Sequence, residues 1–314
     1  MRDTRPQRNG TELRNTMLSS RDIWFTIHTT SGLGPAAAQK LAIALTTNGM
    51  SVDDLGGMDG EQLALATGLS ESLSFALAHE ISNSAPLADD EQLVVPGDDN
   101  YPNTRFLTAN PPLPVALWSY GRRSLLDDGT PALAVAGSRN TSEELLELAH
   151  KIGSMAAQHG WTIVSGLAAG VDSASHQGTL DRGGSTIGVL ASGTAAKGRH
   201  WQPESFDDVC VVSQFAPQEP WSGPRAMRRN STIAALSDNV VIVAAGDSGG
   251  SWEMGQLCLK RNKPLFVIDI EHEAAPGNQR LISAGATPVH IDALEVLFTQ
   301  ANTPPEPPTQ PSLF

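Results

Sequence analysis

Four segments of this chain combine glycine with small hydroxyl or carboxylate residues, and a fifth gathers guanidinium groups. The first is Gly137-Ser138-Arg139-Asn140-Thr141-Ser142 and the second Ser165-Gly166-Leu167-Ala168-Ala169-Gly170-Val171-Asp172. The third is Ala191-Ser192-Gly193-Thr194, and the fourth Gly246-Asp247-Ser248-Gly249-Gly250-Ser251-Trp252-Glu253. Glycine lets a backbone turn tightly and approach a ligand closely. A helix that opens after such a turn offers unsatisfied N–H groups and the positive end of its dipole to an anion. Arg139 stands beside one such start, where its planar fork suits paired phosphate oxygens. The fifth segment, Pro224-Arg225-Ala226-Met227-Arg228-Arg229-Asn230-Ser231, carries three arginines within five residues. All five segments therefore point to a phosphate-bearing ligand.

Each residue also has a plainer reading. Ser142 can cap a helix beside an ordinary surface arginine, and the arginine cluster can be a solvated helix start. Asp172 can cap its helix through the N–H of Ala174 or Ser175, or accept from a base or sugar. His176, one turn further on, reads as a packed histidine rather than a catalyst. None of the glycine-rich loops fits the dinucleotide pattern G-x-G-x-x-G with its later acid, nor the phosphate loop G-x-x-x-x-G-K-[ST]. Nicotinamide cofactors and P-loop nucleotide hydrolysis are thus poorly supported, and no cofactor is expected. The two cysteines, Cys210 and Cys258, lie in apolar surroundings as buried small hydrophobes, and no His/Cys cluster has metal spacing.

The net charge of -13 and pI near 5.0 argue against a protein that coats nucleic acid by bulk electrostatics. A nucleic-acid ligand would need its cations concentrated on one face, with steep salt dependence. No run of about 18 apolar residues exists, and the polar N-terminus lacks a secretory core, so a cytoplasmic protein is expected.

The elements that must position these segments are legible as alternating runs. ALAVAGS, WTIVSG, STIGVLASG, VCVVSQF, NVVIVAAG, PLFVIDI and TPVHI read as strands buried on both faces, with PVALWSYG ahead of them. Helix-compatible stretches separate most of them: SEELLELAHKIGSMAAQHG, DSASHQGTLDRG, RNSTIAALSD and SWEMGQLCLKRN. Such alternation predicts an α/β fold, a Rossmann-like doubly wound and mostly parallel sheet that binds ligands at the carboxyl ends of its strands. Residues 21–85 predict a small all-α domain, in which SGLGPAAAQKLAIAL and TGLSESLSFALAHEI repeat a hydroxyl–Gly–Leu–helix pattern like a helix-hairpin-helix unit. Residues 86–299 form the main domain with a proline-marked lead-in, while 1–20 and the Pro-rich tail 300–314 are expected to be disordered.

Taken in order, these segments resemble the DNA-processing protein A (Smf) family. The resemblance rests on YPNTRFLTANPPLPVALWSYG, ALAVAGSRNTS, IVSGLAAGVDSASHQGTL, STIGVLASG, RRNSTIAALSDNVVIVAAGDSGGS, KPLFVID and NQRLISAGATPV, across roughly residues 93–290. It implies a non-enzymatic binder of single-stranded DNA, usually dimeric, that protects incoming strands and loads a RecA-type recombinase. It assigns DNA contacts to Arg139, to Ser165, Gly166 and Gly170, and to Arg228, Arg229 and Asn230; the reading of the loops and the arginine cluster adds Gly137, Ser138, Asp172, Arg225, Ser248, Gly249 and Gly250 as candidate phosphate or DNA contacts. The chain departs from the family pattern where Phe-Pro-x-Arg-Asn-Arg stands as Ala226-Met227-Arg228-Arg229-Asn230-Ser231, and no winged-helix segment follows the sheet. A competing resemblance is to phosphoribohydrolases of the same broad fold, in which Glu253 and Arg139 would serve a nucleotide-cleaving or nucleotide-sensing site. A third reading makes the N-terminal helices and the Pro-rich tail a recruiting scaffold.

Overall fold

The computed structural model describes residues 18–126, 129–197 and 202–299. The expectations for the first seventeen residues and for the tail from 300 onward lie outside them. The N-terminal segment is helical: α1 (Ser20–Thr29), α2 (Pro35–Thr47), a 3-10 turn at Asp53–Gly57, α3 (Gly60–Thr67) and α4 (Glu71–Asn83). Two of its helix starts, those of α1 and α3, are closed by local chemistry. Ser19 accepts from the Asp22 N–H while the Asp22 carboxylate accepts from the Ser19 N–H at 2.8 Å, and Asp59 and Gln62 repeat the arrangement at α3. Pro35 opens α2 with a preset φ. Ile23, Trp24, Ile27, Leu41, Leu45, Leu63 and Leu77 face inward, and Trp24 meets Phe106 edge to face at 5.6 Å.

The proline-marked lead-in is more structured than an extended connection. It holds β1 (Leu93–Val94), the short helix α5 (Asn103–Thr108) and β2 (Leu117–Gly121). The main alternation then follows: β3 (Ala132–Ala136), α6 (Glu143–Gln158), β4 (Thr162–Ser165), α7 (Val171–Leu180), β5 (Thr186–Val189) and β6 (Val209–Ser213). After these come α8 (Gly223–Ala235), β7 (Asn239–Ile242), α9 (Gly250–Lys260), β8 (Leu265–Ile268), α10 (Gly277–Ser283) and β9 (Thr287–Val289).

Among the described residues the strands form one nine-stranded sheet in the order β1-β2-β6-β5-β4-β3-β7-β8-β9. The strands from β3 onward run parallel, whereas β2 pairs antiparallel with both β1 and β6. The edges are short: β1 has two residues, and β9 has three, including Pro288. Alternation along β3 sends Ala132 and Ala134 to one apolar layer and Leu133 and Val135 to the other. The first layer holds Ile233 of α8, Met254 and Cys258 of α9, and continues without a break into the N-terminal helices. The second holds Leu145, Ala149, Ile152 and Ala156 of α6. Helices thus cover both faces, which is why the strands are apolar almost throughout. From β3 the chain winds outward through β4, β5 and β6, then returns to lay β7 on the other side of β3. The winding direction reverses between those two strands, and that is where the site lies.

Candidate nucleic-acid interface

The loops leaving β3 and β7 diverge to opposite faces of the sheet and open a crevice above it. A cavity of about 500 Å³ fills this crevice, lined by Gly137, Ser138, Arg139 and Asn140 on one side and by Gly246, Ser248, Gly250 and Ser251 on the other. Asp172, Arg229, Asn230 and Trp221 complete its walls. A second cavity of about 360 Å³ lies over β4 and β5, lined by Gly166, Leu167, Ala169, Leu190, Ala191 and Ser192. Arg139, Ala168, Trp221 and Arg229 border both, so the two form one cleft with two lobes.

Backbone geometry brings the loops together. Gly170 has φ +85°, and a Cβ there would lie 2.4 Å from the Ser138 carbonyl oxygen and 2.6 Å from that of Arg139. Glycine therefore lets the loops after β3 and β4 touch, and the Val171 N–H donates to the Ser138 carbonyl at 3.3 Å. Leu167 adopts φ +54° although it has a side chain, a conformation that costs about 1–3 kcal/mol and that packing must hold. Its side chain is buried against Gly188.

The helices that open at this rim differ in their first turns. Ser142 caps α6 and Ser222 caps α8 through side-chain oxygens. By contrast α7 begins at Gly170 and α9 at Gly249, which has φ +96°, and neither has a side-chain cap. The first residues of α9 line the larger lobe, where its amide groups and dipole favour an anion.

The arginines divide into three environments. Arg229 is 6% exposed, donates from Nη1 to the Val189 carbonyl at 2.7 Å, and has no partner for its Nε among the described residues. Gly166 leaves room for it, since a Cβ there would lie 2.0 Å from Nη1 and 2.5 Å from Asp172 Oδ2. Burial raises the Asp172 carboxyl above its ordinary pKa, opposed by Arg229, by the N–H groups of Ala168 and Gly166 and by the Ser165 hydroxyl. Burial likewise lowers the pKa of Arg229, opposed by Asp172. Arg139 lies at the mouth, its guanidinium 5.6 Å from the ring of Trp221, which is 53% exposed. Arg225 and Arg228 line neither lobe; both stack over the buried ring of Phe215, at 5.8 and 5.4 Å.

The remaining sequence candidates support the cleft from within. Ser165 is buried and donates to the Val135 carbonyl at 2.6 Å, tying β4 to β3. Asn230 donates to the Gly250 carbonyl at 3.0 Å, tying α8 to the start of α9. Gly170 and Gly249 shape the loops without lining the lobes. His176 is buried on α7 with Nδ1 2.5 Å from the Thr186 hydroxyl, and burial lowers its pKa to about 3. Glu253 is exposed on α9 and lines neither lobe. Sequence reasoning missed Trp221, Met227 and the apolar wall of Leu167 and Leu190. The helical stripe Ala226, Arg229, Asn230 and Ile233, all on the larger lobe, is readable from the i, i+3, i+4, i+7 spacing. Among the described residues no group of three or more His, Cys, Asp or Glu is placed to hold a metal ion, and no helix is long and apolar enough to cross a membrane.

Comparison with known proteins agrees with this architecture. The crystal structure of DNA processing protein A from Streptococcus pneumoniae superposes with a TM-score of 0.66 at 23% identity, covering 90% of this chain and 98% of that one. DNA processing protein A from Helicobacter pylori, described by its single-stranded DNA binding mode, superposes with a TM-score of 0.54 at 22% identity, covering 66% and 94%. At those identities both likenesses concern the fold. The DNA processing protein DprA of Bacillus subtilis is 27% identical over 186 residues, which are 55% of this chain and 60% of that protein's length. The model of the family described as DNA recombination-mediator protein A matches residues 92–298, the whole of the sheet and its helices apart from the N-terminal segment, and the chain belongs to that family.

Proposed function

We propose that this protein binds single-stranded DNA in the two-lobed cleft and acts on it by holding it rather than by chemistry. One observation carries the reading: the uncapped start of α9, an arginine at the mouth and an exposed indole converge on one crevice of an acidic molecule. The lobe at the winding reversal takes a phosphate, with Arg139 and the first amides of α9 as donors. Trp221, at the border of the two lobes, presents a ring on which an unstacked base can lie. A duplex keeps its bases stacked inside, so this pairing of phosphate and ring selects a single strand. Asp172 sits beside Arg229 and offsets its charge, which leaves Arg139 as the cation of the cleft that a phosphate can meet. The Helicobacter pylori relative described by its single-stranded DNA binding supports the same reading. Delivery of the bound strand to a RecA-type recombinase, assembly as a homodimer and action in the cytoplasm belong to this proposal. The competing nucleotide-cleaving reading needs Glu253 beside Arg139, and Glu253 lies outside both lobes.

Titration of matched single-stranded and double-stranded oligonucleotides at two salt concentrations tests the proposal. The single strand should bind more tightly, and Arg139→Ala should reduce the slope of log K against log salt by about 1. Equal affinity for the duplex would overturn it.

A further inference from the structure

Trp221 sits in the connection between β6 and α8, a stretch rich in proline and without regular structure of its own. An exposed indole in such a segment has many conformations available, and ordering it needs a cause. Arg225 supplies one. Its Nη1 donates to the carbonyl of Pro220 at 3.0 Å, and its backbone N–H donates to the hydroxyl of Ser222 at 3.3 Å. The Ser222 contact is the cap of α8 and needs only the backbone at position 225, so the guanidinium acts on the ring through Pro220.

Arg225 is itself held. Its Nε donates to Glu219 Oε2 at 2.7 Å and its Nη2 lies 2.5 Å from the same carboxylate. The Glu219 carbonyl accepts from the Gly193 N–H at 2.8 Å, and the Pro217 carbonyl from the Ala195 N–H at 2.9 Å, so the segment is anchored to the loop after β5. The guanidinium also lies over Phe215, which is 3% exposed. With Nε, Nη1 and Nη2 all engaged by the protein and the charge met by Glu219, little of the fork is left for a phosphate.

We propose that Arg225 and Glu219 are positioning residues which hold Trp221 at the border of the two lobes, and that Arg225 contributes to DNA binding through that ring rather than by meeting a phosphate. This rests on the single-stranded DNA reading of the cleft. It separates two parts of the affinity. The part carried by phosphates follows salt, and the part carried by the bases does not.

The experiment compares the full chain with its Trp221→Ala, Arg225→Ala, Arg225→Lys and Glu219→Arg/Arg225→Glu variants, each checked for folding by thermal melting. Two probes of equal length are titrated across salt: oligothymidylate and an abasic strand with the same sugar–phosphate backbone. The wild type should prefer oligothymidylate by about 5- to 100-fold. Trp221→Ala and Arg225→Ala should each lose most of that preference while keeping the salt slope. Arg225→Lys should lose it too, because an ammonium cannot bond Glu219 and Pro220 in a planar fork, and the charge-swapped pair should not regain it, because a carboxylate at position 225 has no donor for the Pro220 carbonyl. A salt slope lowered by about 1 in Arg225→Ala with the base preference intact would make Arg225 a phosphate ligand and overturn the inference alone. Retention of the base preference by Arg225→Lys would also overturn it. Failure of the wild type to bind either probe would sink the single-stranded DNA reading, and the inference with it.

Discussion

The helices α1 and α3 treat their first turns in the opposite way from α7 and α9 at the carboxyl rim of the sheet, while α2 and α4 lack side-chain caps and Ser142 and Ser222 cap α6 and α8. In α1 and α3 the chain closes its own N–H groups with reciprocal boxes, Ser19 with Asp22 and Asp59 with Gln62. At the rim, α7 and α9 start from glycines at positive φ without side-chain caps, and the first residues of α9 face a cavity. A cap contributes about 1 kcal/mol, so leaving α9 uncapped gives up stability at the place where its amides face the cavity, whereas the first amides of α7 are met by the Ser138 and Ala168 carbonyls. The N-terminal helices, packed around Trp24 and Phe106, are built to stay shut. Stability and binding should therefore respond to different substitutions.

The largest effect belongs to the sealed region. Trp24 is 1% exposed, and Trp24→Ala should cost about 3–5 kcal/mol by urea denaturation. Oligothymidylate affinity, measured where the variant is folded, should stay unchanged; a parallel fall would break the comparison. Next comes Arg229→Ala at the rim, which leaves Asp172 buried without its cation and should cost about 3 kcal/mol. Adding Asp172→Asn should recover much of that loss, whereas a further loss on adding it would show that the carboxylate has other work. Smaller again is Gly170→Ala, about 1–3 kcal/mol, because a methyl group there meets the carbonyls of Ser138 and Arg139 at a left-handed φ. DNA binding should suffer with it as Arg139 is displaced. Gly249→Ala has the same kind of φ but open space around it, so it should cost the backbone strain alone and less than Gly170→Ala.

A separate effect emerges only on acidification. His28 packs against Phe25 and Trp118, and burial, then Arg228, lowers its pKa to about 4, with Glu219 opposing. The unfolded chain takes up that proton near pH 6.5 and the folded chain does not. Stability is thus whole above pH 6.5 and falls as the pH drops towards 4. Thermal melts should be lower at about pH 5 than at about pH 7, and His28→Phe should flatten the difference. Some slope should remain, because His176 is held neutral in the same way.

Much of the rim is legible in the residues alone. The runs ALAVAG, TIVSG and VVIVAAG end in glycine where a parallel strand must hand over to a helix, and a doubly wound sheet gathers such ends on one side. Family resemblance names the loops. It does not rank the arginines, because three guanidinium groups in one helix start differ only by the angle at which each leaves the axis. Arg229 falls on the stripe with Ala226 and Ile233 and goes inside, while Arg225 and Arg228, three apart, share the side over Phe215. Trp221 escapes sequence reasoning for a different reason. It belongs to no periodic run, and its place depends on a bond from the Arg225 guanidinium to the Pro220 carbonyl that spacing does not encode. The antiparallel pairing of β1 and β2 is likewise hidden among prolines, where local sequence suggests only an extended chain.

The two short margins of the sheet constrain how copies of this molecule can meet. On one side only two residues of β1 are aligned for pairing, and on the other Pro288 removes a donor from β9. Among the described residues neither border offers a ladder long enough for another chain to extend. Continuous intermolecular sheets are therefore disfavoured, and self-association has to proceed through side-chain surfaces, where single substitutions can switch it off without unravelling the fold.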